Sequence, residues 1–298
     1  MAFILKIFSV FAIIFVSIMI QRMTTKNDDL SHLKELPHRL EGNKESNNLL
    51  VFLHGWPNKM SMFNSIIKRL ESDFYCLSIT YPNFSEDLKV KVGTDFNTII
   101  DLIALTIKNV QNSSGKKFKV TVIGHDYGAF FTYLLDSRHQ DLIDSMVTLD
   151  VAHIFSKSIS SALFNTSYQS WLAVSNGIGG PVGDAMCKIM GKVYGLLDKT
   201  TMLEKIEFDF DSNLTYLYVE IFKSIFDLFK FGDEYIPNKP LTFIYGKDKP
   251  TTFHEQKALD IYNSKPGNTI LALETGHWIT ITHEDVVIEE IKKRALGN

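Results

Sequence analysis

Residues 120–129, Val-Thr-Val-Ile-Gly-His-Asp-Tyr-Gly-Ala, constrain this chain more than any other stretch. A β-branched run leads straight into Gly124-His125-Asp126-Tyr127-Gly128, and an apolar helical segment follows. Glycines two places before and two places after Asp126 permit a sharp strand-to-helix turn, which lifts the central side chain clear of a sheet. A carboxylate at that point is anionic at neutral pH and can attack an electrophile without a base to unmask it. The competing reading is an Asp that merely caps the following helix. The paired glycines and the preceding strand favour the elbow.

On both sides of this elbow, apolar runs alternate with helical spacing. Residues 49–53, 74–79 and 145–149 read as buried strands, while 61–70 and 95–110 repeat apolar residues at intervals of three and four. Such alternation implies a parallel, doubly wound α/β sheet. It stops after Asp150 and resumes with strands at 240–245 and 269–273 and a closing amphipathic helix at 285–296. The expected organisation is a core of residues 47–150 and 236–298, interrupted by a helical lid over 151–235. In an open α/β sheet such a lid would cover the carboxyl ends of the strands, where ligands bind.

The N-terminus differs in kind. Residues 7–20 carry no charge, so residues 1–22 are expected to form a single-pass transmembrane or signal-anchor helix. The alternatives are a cleaved signal peptide, for which a small-residue cleavage site is missing, and, last, a merely buried helix. Residues 23–46 then form a polar tether. On this reading the protein is held in a membrane such as the endoplasmic reticulum.

Composition narrows the partners. A net charge of -3 with no basic stripe gives no reason to expect nucleic acid. Cys76 and Cys187 make no disulfide framework, and the nine histidines show no metal-ligand spacing. No cofactor or metal is expected.

An attacking Asp126 needs donors for developing negative charge and a base to release the product. The N–H groups of Tyr127 and of Trp56, in the loop His54-Gly55-Trp56-Pro57 after a strand, are placed to supply the first. His277, in Gly276-His277-Trp278 after the last strand, is placed to supply the second. His54 and His125 read as structural groups bonding loop backbone.

These three motifs, in this order, resemble the α/β-hydrolase superfamily in its epoxide hydrolase and haloalkane dehalogenase branch, over residues 47–298. The resemblance implies that Asp126 attacks an sp3 carbon to form an ester and that His277 activates water to cleave it. It also implies two lid tyrosines that protonate an epoxide oxygen. Of Tyr168, Tyr194, Tyr216 and Tyr218, the expected pair is Tyr168 and Tyr216. The acid that orients His277 should follow the seventh strand as Gly-x-x-Asp, but Gly246-Lys247-Asp248-Lys249 brings Asp one place early and Lys to that position. Asp248 is the expected acid and Asp150 its rival. Tyr127 stands where dehalogenases usually carry Trp, and Trp56 where they often carry Asn, so an apolar epoxide is the expected substrate. A haloalkane dehalogenase-like hydrolase and a catalytically silent, membrane-tethered binding protein are the alternatives.

Overall fold

The computed structural model describes residues 2–155, 158–198 and 210–297. Among them, seven strands form one sheet in the order β1-β3-β2-β4-β5-β6-β7. They are β1 (His38–Gly42), β2 (Asn48–Leu53), β3 (Tyr75–Ile79), β4 (Lys119–His125), β5 (Ser145–Leu149), β6 (Leu241–Gly246) and β7 (Thr269–Leu273). All neighbours are parallel except β1, which runs antiparallel to β3 at one edge. β1 falls inside the stretch read as a tether. Its sequence, His-Arg-Leu-Glu-Gly, has a single aliphatic residue. An edge strand that is half in water needs no apolar run, so hydrophobic patterning does not mark it.

The central strands bury both faces, which is why they read as unbroken apolar runs. Leu49, Val51 and Leu53 of β2 pack into one layer, and Leu50 and Phe52 into the other. The first layer is filled by α3 (Phe96–Ser114) and α4 (Tyr127–Arg138), the second by α2 (Asn64–Leu70) and α11 (Glu284–Leu296). α3 begins where the Asp95 side chain accepts from Thr98 N at 2.9 Å and ends at left-handed Gly115. Its Ile99, Ile100, Ile103 and Ile107 are fully buried. Truncating any one of them to Ala costs about 2–5 kcal/mol.

Between β5 and β6 the chain forms α5 (Ile159–Ile178), α6 (Gly180–Leu197), α7 (Tyr216–Lys223) and α8 (Ile225–Glu234). Residues 156–157 and 199–209 of the expected insertion lie outside the described residues. Trp171 Nε1 donates to Met186 O at 2.9 Å and ties α5 to α6, while Asp184 accepts from Ser212 N at 2.8 Å and ties α6 to the approach to α7. After β6 come α9 (Gln256–Asn263), β7 and the short α10 (Ile279–Thr282).

The expected membrane anchor, and with it the membrane localisation, is overturned: among the described residues no helix is long and apolar enough to cross a membrane. The N-terminal helix α1 (Ala2–Thr24) instead seats its last turns on the insertion. Gly177 of α5 makes room for Ile18, since a Cβ there would stand 2.3 Å from Ile18 Cγ2. Met19 packs against the core. Arg22 donates to Val92 O at 2.7 Å and to the Asn176 side chain. Those turns therefore find their partners in protein.

Candidate active site

Asp126 stands between β4 and α4 at φ 55° and ψ −119°, a backbone region that costs a non-glycine residue about 1–3 kcal/mol. Close packing of glycine backbones holds it there. A Cβ on Gly124 would lie 2.3 Å from Gly128 O, and one on Gly128 would lie 1.9 Å from Leu53 O. Gly55 completes the convergence, with a Cβ that would fall 2.4 Å from that of Asp126. The Asp126 carboxylate makes no capping bond to α4, so it is not a helix cap. Its Oδ2 accepts from Trp56 N at 2.9 Å, and Oδ1 lies 4.0 Å from His277 Nε2. Burial pushes its pKa above the usual carboxylate value, against the opposing pull of His277 and of the Trp56 and Tyr127 N–H groups.

His277 lies on the loop between β7 and α10 and is gripped along its backbone. Asp198, from the end of α6, accepts from His277 N at 2.8 Å, and His125 Nε2 bonds His277 O at 2.9 Å. Burial drives the His125 pKa down to about 3, so that ring is neutral and donates to the carbonyl. On the imidazole, Nδ1 is 2.5 Å from Asp150 Oδ2, leaving Nε2 towards Asp126. Burial disfavours the imidazolium, but the Asp150 hydrogen bond and the charges of Asp150 and Asp126 outweigh it and raise the His277 pKa above its ordinary value.

Asp150 follows β5 with φ 72° and is fully buried. Its Oδ1 accepts from Gly246 N at 3.1 Å and from the Lys249 ammonium, whose side chain is 1% exposed. Burial raises its pKa, but Lys249 and His277 overcome that and hold it well below the usual range. Asp248, the expected acid, is exposed, and its backbone N–H bonds Thr275 O at 2.9 Å. The reason is local. Lys247 and Asp248 continue the pairing of β6 with the segment after β7, which turns the Asp248 side chain outward and the Lys249 side chain in.

Two cavities, of about 140 and 40 Å³, meet over Asp126 and share Tyr168, Tyr218 and Phe253 as walls. The larger runs between α5 and α8 and is mainly apolar, with Phe130, Phe155 and Phe229 among its lining. The smaller is bounded by Trp56, Tyr194, His277 and Trp278. Tyr216 joins neither. It is fully buried with its ring against Gly93, where a Cβ would be 2.5 Å away. Tyr216 and Tyr218 are two residues apart on α7, so about 200° of helical rotation separates them and only one can face Asp126. That one is Tyr218. Tyr127, beside the carboxylate, packs edge-on against Tyr218 at 5.4 Å. Sequence reasoning gave no role to Lys249 or Asp198, and it offered Tyr218 as a candidate but set it behind Tyr168 and Tyr216. Lys249 had one signal, a Lys where the resemblance implies an acid; Asp198, far along the chain in the insertion, had none.

Residues 48–284 match the alpha/beta hydrolase fold family, and the chain belongs to it. It is 28% identical over 102 residues to a soluble epoxide hydrolase of Corynebacterium sp. (strain C12), a match covering 34% of each chain. The chain therefore spans about a third of the length of that relative. It is 20% identical over 274 residues to epoxide hydrolase 1 of Caenorhabditis elegans, covering 86% of this chain and 67% of that one. Among solved structures, an esterase from Exiguobacterium antarcticum superposes with a TM-score of 0.61 at 16% identity, over 86% of this chain and 93% of the other.

Proposed function

We propose that this protein hydrolyses apolar epoxides to diols through an ester on Asp126. The observation that carries the reading is the division of labour within one carboxylate that lines both cavities: Oδ2 is bonded to a backbone N–H, and Oδ1 lies 4.0 Å from His277 Nε2. Oδ1 attacks an epoxide carbon, the carbon–oxygen bond breaks, and the electron pair moves to the ring oxygen. An alkoxide leaves poorly unless it is protonated as it forms. Tyr168 and Tyr218, which line both cavities beside Asp126, are the donors.

His277 then takes a proton from water through Nε2, with Asp150 stabilising the imidazolium. The hydroxide adds to the Asp126 carboxyl carbon, and the negative charge that develops on Oδ2 is met by the Trp56 and Tyr127 N–H groups. The bond from that carbon to Oδ1 then breaks as His277 returns its proton to the departing alkoxide, which frees the diol. The proton of the new carboxyl group passes to the tyrosinate left by the first step, and carboxylate, imidazole and tyrosine are all regenerated. The helical insertion acts as the lid that carries the tyrosines and excludes water from the first step. A Ser at the elbow would require a base before attack; Asp126 does not. Incubation with a panel of apolar epoxides tests the reading. Diol should form with wild type and not with Asp126→Ala, and diol formation persisting in Asp126→Ala would refute the assigned nucleophile.

A further inference from the structure

The site holds more negative charge than a single base requires. Asp150 bonds one nitrogen of His277, Asp126 lies 4.0 Å from the other, and Asp198 accepts from its backbone N–H. The remaining titratable neighbours bring no compensating charge. His125 on β4 and His254 after β6 are held neutral by burial, with pKa values of about 3 and about 4, and Tyr194 of α6 presents a ring edge. Among the described residues, the cation facing this set is Lys249. Its side chain is 1% exposed, its ammonium bonds Asp150 Oδ1, and it sits 5.0 Å from the centre of the Phe253 ring.

In the resting enzyme two carboxylates flank the imidazole, and once Asp126 is an ester Asp150 alone still favours its protonated form, which cannot take a proton from water. A buried cation on the far oxygen of Asp150 opposes that drift and leaves the near oxygen free for Nδ1. Its geometry also fixes the carboxylate: Gly246 N and Lys249 hold Oδ1, so Oδ2 points at His277.

We propose that Lys249 is a positioning residue that aims Asp150 at His277 and, by its charge, keeps His277 available as a base against the pull of Asp150. The role rests on His277 being the base of the proposed reaction, but the charge coupling can be read without any substrate. Lys249 does not touch the reacting atoms. It acts through Asp150.

The test is an NMR titration of the His277 ring in the full chain, for wild type, Lys249→Met and Lys249→Arg, beside the pH profile of epoxide turnover. Lys249→Met should move the His277 titration to higher pH and carry the acid limb of the profile with it. Activity should fall at least about tenfold at pH 6 and recover towards pH 9. Lys249→Arg, which keeps the charge, should restore both midpoints. A His277 titration unmoved in folded Lys249→Met, or activity lowered equally at every pH, overturns the proposal and leaves Lys249 a packing residue. Should Lys249→Met not fold, Lys249→Gln carries the same reading, because it keeps a hydrogen bond without the charge. Failure of both neutral variants to fold at pH 6 and pH 9 alike, with Lys249→Arg folded, also overturns it. If no epoxide is turned over by wild type, the proposed function fails while the titration still decides the role of Lys249.

Discussion

Replacing Asp150 with Asn separates the two halves of the proposed reaction. Attack by Asp126 needs no base, so the ester should still form; only its hydrolysis needs the imidazolium that Asp150 stabilises at 2.5 Å. Unit charges about 4 Å apart interact by about 4 kcal/mol at an effective dielectric near 20, which is roughly 10³ in rate. Lys249 already offsets part of the Asp150 charge, so the expected loss in the hydrolytic step is about 10²–10³. The variant also strands a buried ammonium, at a cost of about 3–5 kcal/mol in stability, part of which Asp150→Asn with Lys249→Met should recover. Single-turnover mixing followed by intact mass gives the assay: the enzyme gains the mass of one substrate and holds it. Asp248→Asn, altering an exposed side chain, should stay within about 0.5 kcal/mol of wild type in both rate and stability. Folded Asp150→Asn turning over within threefold of wild type, or an equal loss in Asp248→Asn, would refute the assignment.

Tyr168→Phe and Tyr218→Phe should each slow ester formation by about 10²-fold in single-turnover mass measurements, while Tyr216→Phe leaves that rate unchanged. Gly128→Ala would drive a Cβ to 1.9 Å from Leu53 O, and a loss of more than about 3 kcal/mol in urea unfolding is expected; a variant of wild-type stability would contradict the elbow geometry. The His277 pKa is raised in the folded state, so its stabilising contribution is complete below the unfolded-state value and disappears as pH rises through the raised folded value. Asp150 is depressed, so its contribution is present above the ordinary carboxylate value and disappears as pH falls through the depressed one. Melting temperature measured across pH should therefore decline on both flanks, and His277→Gln should remove the alkaline decline.

The buried strands, the elbow and the closing helix were legible because parallel sheets write themselves as apolar runs and tight turns as glycines. β1 was not, since an edge strand needs no such run. Local spacing placed Asp126 and His277 correctly in relation to strand ends, and the structure brings them within 4.0 Å. The choice between Asp248 and Asp150 turns on which side chains face in where the chain leaves β6, a matter of one residue of register. The choice between Tyr216 and Tyr218 turns on the rotation of α7 about its axis. Asp198 reaches His277 from an insertion whose path no local pattern encodes. The apolar N-terminal run satisfied the length criterion for a span, yet its last turns are read by their neighbours: Ile18, Met19 and Arg22 have protein partners.

The central claim is that a carbon–oxygen bond forms on Asp126 itself. His277→Gln should allow that bond to form and prevent its cleavage. Proteolysis of the trapped enzyme followed by peptide mass mapping should place the added substrate mass on Asp126. Substrate mass on another residue, or diol released with no adduct at any time, would contradict the account.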